Sequence, residues 1–131
     1  SHGGVQAVGA ALSSLGEALA WTATGMFSVI ADLGAVEPRD ELRLSVAAVD
    51  RDALVVDWLN ELLFRYETEG FLPKELNVSV DEAGNALEAR CVGEQADPER
   101  HSLHPAVKAA TYHALQVEHD GDWRIRVVLD I

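Results

Sequence analysis

Cysteine is almost absent from this chain. Cys91 is the one thiol in 131 residues, so no internal disulfide can form and nothing points to an oxidising compartment. Long apolar runs are missing too: none approaches the roughly 18 to 20 residues of a membrane-spanning helix. No secretory signal pattern opens the chain. A cytoplasmic protein without membrane association is the expectation. Lysine and arginine are scarce, ten against 22 aspartates and glutamates, which leaves a formal net charge of −12. A chain of this sign repels a phosphate backbone, and no Lys/Arg cluster makes a local exception, so direct nucleic-acid binding is not expected. There is no nucleophile–base pair, no phosphate-cradling glycine loop and no redox motif. Low-complexity linkers and repeats are also lacking.

What is present suits a single packed domain over residues 1–131. Apolar residues make up 48% of the chain and recur at regular spacings, which argues against disorder. The length is enough for a real hydrophobic core. Excess negative charge favours solubility and steers the protein towards a basic surface, of which the RNA-binding face of another protein is one kind. Alone, the chain is expected to be a monomer. Ser1-His2-Gly3-Gly4 reads partly as the remnant of an expression tag and carries little weight.

Leu15, Leu19, Thr22, Met26, Ile30 and Leu33 step by three or four, which predicts a helix capped by Ser13 or Ser14 and ended by Gly34 and Pro38. Leu42, Leu44, Val46 and Ala48 then alternate with Glu41, Arg43, Ser45 and Ala47, the period of a half-buried strand. Asp50 or Asp52 caps a second helix whose Leu54, Trp58, Leu62 and Tyr66 share a core face, and Gly70 lies just past its end. Strands follow: Leu76, Val78 and Val80, a turn over Asp81 to Asn85, then Leu87, Ala89 and Cys91 alternating with Glu88 and Arg90. On this pattern Cys91 faces the core and is inert. Glu94 to Pro105 reads as a loop. The last segment is a hairpin of Val107–Glu118 and Trp123–Ile131 around Asp120-Gly121. Two main helices on about six or seven mostly antiparallel strands make an α+β domain.

Three stretches in register carry a resemblance. The first is Val56-Asp57-Trp58-Leu59-Asn60-Glu61-Leu62-Leu63. The second joins Gly93-Glu94, Asp97-Pro98-Glu99-Arg100-His101 and Val107-Lys108-Ala109-Ala110-Thr111-Tyr112-His113. The third is Trp123-Arg124-Ile125-Arg126-Val127-Val128-Leu129-Asp130-Ile131. Met26-Phe27 and Asp32-Leu33 on the first helix agree with them. From about Leu15 to Ile131 the chain resembles the archease family. The resemblance implies a non-enzymatic accessory factor in tRNA processing. Such a factor promotes guanylylation and multiple turnover of the GTP-dependent tRNA-splicing RNA ligase, which joins 3′-phosphate or 2′,3′-cyclic phosphate ends to 5′-hydroxyl ends. An alternative from the same source is a chaperone-like modulator of a tRNA-modifying enzyme such as a tRNA methyltransferase.

The resemblance also implies a metal site made by the penultimate aspartate and the last residue, Asp130 and Ile131, with an aspartate near the N-terminus. Oxygen donors of this type suit Ca²⁺ or Mg²⁺. The sequence departs from the pattern at the third ligand. An ungapped alignment lays His2-Gly3-Gly4-Val5 on the family's His-Thr-Ala-Asp, so Val5 stands where the aspartate belongs, and valine coordinates no metal. Asp32 is the candidate replacement if the first helix ends near the last strand. His101 and His113 invite a zinc or acid–base reading, weighed against hydrogen-bonding roles for Arg100 and His101 in an exposed loop and a plain strand role for His113. Arg100, His101 and Lys108, with Asp57 and Glu61 on the second helix, are the candidate partner-binding residues. For Asp57, Asn60 and Glu61 the simplest reading is a solvated helix face.

Overall fold

The computed structural model describes residues 5–104 and 107–131. Ten elements follow in order: β1 (Val5–Leu12), α1 (Leu15–Ile30), one 3-10 turn (Leu33–Ala35), β2 (Asp40–Ala47), α2 (Arg51–Glu69), β3 (Phe71–Val80), β4 (Ala86–Gln95), α3 (Pro98–His101), β5 (Ala109–Asp120) and β6 (Asp122–Asp130). The strands form two antiparallel three-stranded sheets, ordered β1-β6-β5 and β2-β4-β3. The α+β class expected from the pattern is the class observed, with six strands. No helix among the described residues is long and apolar enough to cross a membrane.

Local chemistry accounts for most boundaries. Ser14 caps α1, its hydroxyl accepting the Glu17 N–H at 3.1 Å, and the Asp50 carboxylate does the same for α2 through the Ala53 N–H at 2.8 Å, each satisfying an amide that the first turn leaves without a partner. Gly70 ends α2 with a φ of 71°, a left-handed conformation that costs glycine nothing. The first helix ends earlier than expected, at Ile30. Ala31 is extended, and its N–H still bonds the Phe27 carbonyl. The residues after it are captured from elsewhere: His104 donates its N–H to the Ile30 carbonyl at 2.7 Å, and Asp32 donates its own to the His101 carbonyl at 3.2 Å.

Between the two sheets lies α1, packed on β1 and β6 of one and β3 of the other, while α2 packs chiefly on β5 and reaches α1 and the strands of the β2-β4-β3 sheet as well. Leu19, Met26, Phe27, Trp58, Leu59, Leu62, Leu72 and Leu129 are fully or almost fully buried in the shared core. The Trp58 indole N–H donates to the Leu19 carbonyl at 3.0 Å, so its polar atom is satisfied there. Cys91 is also fully buried, and burial pushes its thiol up to about 12. It is a core residue, as the alternation indicated.

This packing fixes which residues share an end of the molecule. β1 ends at Leu12, opposite Trp123, and α1 starts three residues later and runs back along it. An added Cβ on Gly25 would lie 3.5 Å from the Val8 side chain, so α1 approaches β1 closely there. The 16 residues of α1 span about 24 Å, and the 8 of β1 about 26 Å. Helix α1 therefore finishes level with the start of β1, where Val5 pairs with Asp130.

Candidate functional site

Asp130 closes β6, the central strand of its sheet. It is partnered by Val5 on one side and by Ala109 on the other. Immediately before Ala109, Lys108 donates its backbone N–H to the Asp130 carbonyl at 2.7 Å. The Lys108 side chain is exposed, and Asp130 and Ile131 are half-buried. Three chain segments thus meet at one sheet end, with the last strand beside the first.

Asp32 is exposed, and its carboxylate is engaged as the cap of the 3-10 turn, accepting the Gly34 N–H at 3.1 Å. Val5 is the register partner of Asp130. Among the described residues no group of three or more His, Cys, Asp or Glu side chains is arranged to hold a metal ion. The described donors match a hard cation in kind but not in number. His2, Gly3 and Gly4 in the alignment, and Pro105 in the loop, lie outside the described residues.

The second cluster departs most from the expected loop. β4 continues to Gln95, and Asp97-Pro98 starts the short helix α3, with the Asp97 carboxylate accepting the Glu99 N–H at 3.0 Å and proline in the first turn, where a missing N–H costs nothing. Glu94 is 3% exposed and His101 0%. Gly93 brings β4 against β3 just before Glu94; an added Cβ would run into the Leu72 carbonyl. The Arg100 guanidinium grips the Glu94 carboxylate at 2.8 and 3.0 Å. The Glu37 N–H donates to it at 2.7 Å, His101 Nε2 lies 3.0 Å away, and Arg39 Nε stands at 3.5 Å.

His101 Nδ1 accepts the Asp97 N–H at 2.8 Å, so the ring proton of the neutral imidazole sits on Nε2 and is donated to Glu94. Both ring nitrogens are thereby taken. The placement corrects the exposed-loop expectation for His101 and removes it from any zinc pair with His113. Arg100 keeps part of its side chain in solvent. Hydrogen bonding by the Arg100 fork is the main reason the Glu94 carboxyl lies at about 2, with burial opposing it and the Glu37 N–H and His101 assisting. Sequence spacing did not reveal this knot. The sequence pattern ends the strand before Glu94, and only the structure, in which β4 runs on to Gln95 with Glu94 facing inward, places it there.

The remaining candidates sit along α2 and β5. Asp57 is exposed, and Glu61 pairs with Arg65 at 2.9 Å. Asn60 is not a solvated-face residue. Its Oδ1 accepts the Ala110 N–H at 2.8 Å and its Nδ2 donates to the Ala110 carbonyl at 3.3 Å, so it closes the outer edge of β5 as a neighbouring strand would. His113 is exposed within an irregular stretch of β5, where four residues, 112–115, oppose the single Val127 and Ala114 adopts a φ of 53°. Tyr112 beside it is 58% exposed.

Two antiparallel sheets enclosing α1, with the last strand seated centrally against the first, define a small α+β class of protein. The model of the Archease protein family (MTH1598/TM1083) matches residues 4–131, and the chain belongs to that family. It is 39% identical over 112 residues to the protein archease of Methanopyrus kandleri, a match covering 83% of this chain and 80% of that one. To the protein archease of Sulfurisphaera tokodaii it is 33% identical over 129 residues, covering 98% and 91%. The solution structure of protein 1598 of Methanobacterium thermoautotrophicum superposes with a TM-score of 0.80 at 32% identity, covering 97% of this chain and 92% of that chain.

Proposed function

We propose that this protein is a non-catalytic accessory factor that promotes guanylylation and repeated turnover of a GTP-dependent tRNA-splicing RNA ligase. Membership of the archease family supports the broader statement, an accessory protein of RNA processing. The observation that favours the finer reading is the meeting of Asp130, Val5 and Lys108 at one sheet end. The chemistry available there is modest. Lys108 meets Asp130 through its backbone, and a carboxylate and an exposed ammonium at one sheet end can each orient a partner's polar group, the ammonium a nucleotide phosphate, but neither is a nucleophile with a base beside it. Such groups suit a protein that completes another enzyme's site.

Charge supports the same reading. A net charge of −12 and exposed carboxylates such as Asp57 favour approach to a basic surface, which an enzyme acting on RNA must possess. The test is co-purification with the cognate ligase, together with the rate at which the ligase becomes guanylylated. Stoichiometric protein should form a complex and raise that rate. A wild-type chain that neither binds nor stimulates would overturn the proposal.

A further inference from the structure

Glu94 and His101 are the buried ionisable pair that the proposed function leaves unused, and they lie at the root of the segment that delivers Lys108. Three facts connect them to the sheet end. The Glu94 carboxylate gathers donors from α3 (Arg100 and His101) and from the chain leading into β2 (Glu37 and Arg39). His101 and His104 then fasten the following residues to the end of α1, through the Asp32 N–H and the Ile30 carbonyl. Finally Val107 is fully buried and Lys108 bonds the Asp130 carbonyl. The chain is clasped at α1 by residues 101–104 and again at β6 by Lys108, and among the described residues Glu94 is the buried acidic side chain that anchors the start of this stretch.

An ionic knot is a poor way to gain stability, because desolvating the charges offsets most of their attraction; apolar residues of similar volume often do as well or better. What it supplies is direction. A bidentate guanidinium and a single histidine tautomer satisfy the carboxylate in one arrangement of α3. We propose that Glu94 is a positioning residue for the Asp130 end: by holding Arg100 and His101 it fixes residues 97–104 against the end of α1, and with them the approach of Lys108 to the Asp130 carbonyl. This rests on the reading of that end as the functional one.

The test combines amide hydrogen exchange on the isolated protein with ligase guanylylation, using Glu94→Gln, Arg100→Gln, His101→Leu and His101→Gln. Exchange at Asp32, His104 and Lys108 should accelerate about tenfold or more in the first three variants while the β2–β4 ladder keeps its protection. Stimulation of the ligase should fall with it. His101→Gln, whose amide can replace Nε2 as donor, should recover much of both. Arg100→Gln changes a half-exposed side chain, so it serves if Glu94→Gln does not fold. Acceleration spread evenly over the molecule, or unchanged exchange at Lys108, would reduce the knot to a structural role and overturn the proposal. Failure of the wild-type chain to stimulate would instead count against the accessory function, leaving the exchange measurement to decide whether Glu94 positions Lys108.

Discussion

Glu94 draws its acidity from the groups around it, and a pH dependence follows. Its carboxyl has an ordinary value of 4.5 and is held at about 2 in the folded protein. A group whose folded value is depressed contributes stability in full above its unfolded value, and that contribution is lost as pH falls through the folded value. The window is therefore pH 4.5 down to about 2. Urea midpoints measured across it should fall more steeply for the wild type than for Glu94→Gln, which has no proton to gain. Parallel curves for the two proteins would show that Glu94 is not ionised and paired as described. His101 shows why the site was only partly legible. Its residue type and motif were visible, but its burial depends on Glu94 and on the backbone of Asp97, and hydrogen bonding of that kind leaves no periodic trace.

At the scale of elements, the amphipathic steps of α1 and α2 and the alternation of β2, β4 and β6 were readable because one face of each meets the core. Two features were not. The end of α1 is set by the 101–104 segment bonding to Ile30 and Asp32, a contact about 70 residues away in sequence, so Gly34 and Pro38 misled. The irregularity in β5 places Ala114 in the left-handed region without a glycine to announce it. Asn60 belongs at this scale too, since it joins α2 to the edge of β5. Asn60→Ala leaves the N–H and C=O of Ala110 without their side-chain partners, at an expected cost of about 1–2 kcal/mol. Amide exchange at Ala110 should rise well above that of its neighbours. Unchanged exchange at Ala110 would mean that the clamp does not hold in solution.

For the whole molecule, charge and topology make separate contributions. The acidic balance governs approach to a partner and is screened by salt over roughly 8–10 Å near physiological ionic strength. The concentration needed for half-maximal stimulation of the ligase should therefore rise as salt is raised from about 0.05 to 0.3 M, with less effect on the rate at saturation. A salt-independent titration would remove electrostatic steering from the account. Topology does the other part: β6 enters the middle of its sheet, and this seats Asp130 between Val5 and Ala109. The hairpin itself was legible in the sequence, since Asp120-Gly121 and the flanking alternation mark it. That β1 would cover the far side of β6 was not readable from spacing, because strand order is decided by packing against α1.

The most direct measurement is the initial rate of ligase guanylylation with saturating wild-type protein, Asp130→Ala or Lys108→Ala, the fold of each variant being verified by its amide spectrum. The account predicts native-like spectra and a loss of stimulation of about tenfold or more for Asp130→Ala, as expected when a positioned polar contact to a reacting group is removed. A smaller loss is expected for Lys108→Ala. Full stimulation by a folded Asp130→Ala protein would contradict the claim that this sheet end serves the partner's chemistry.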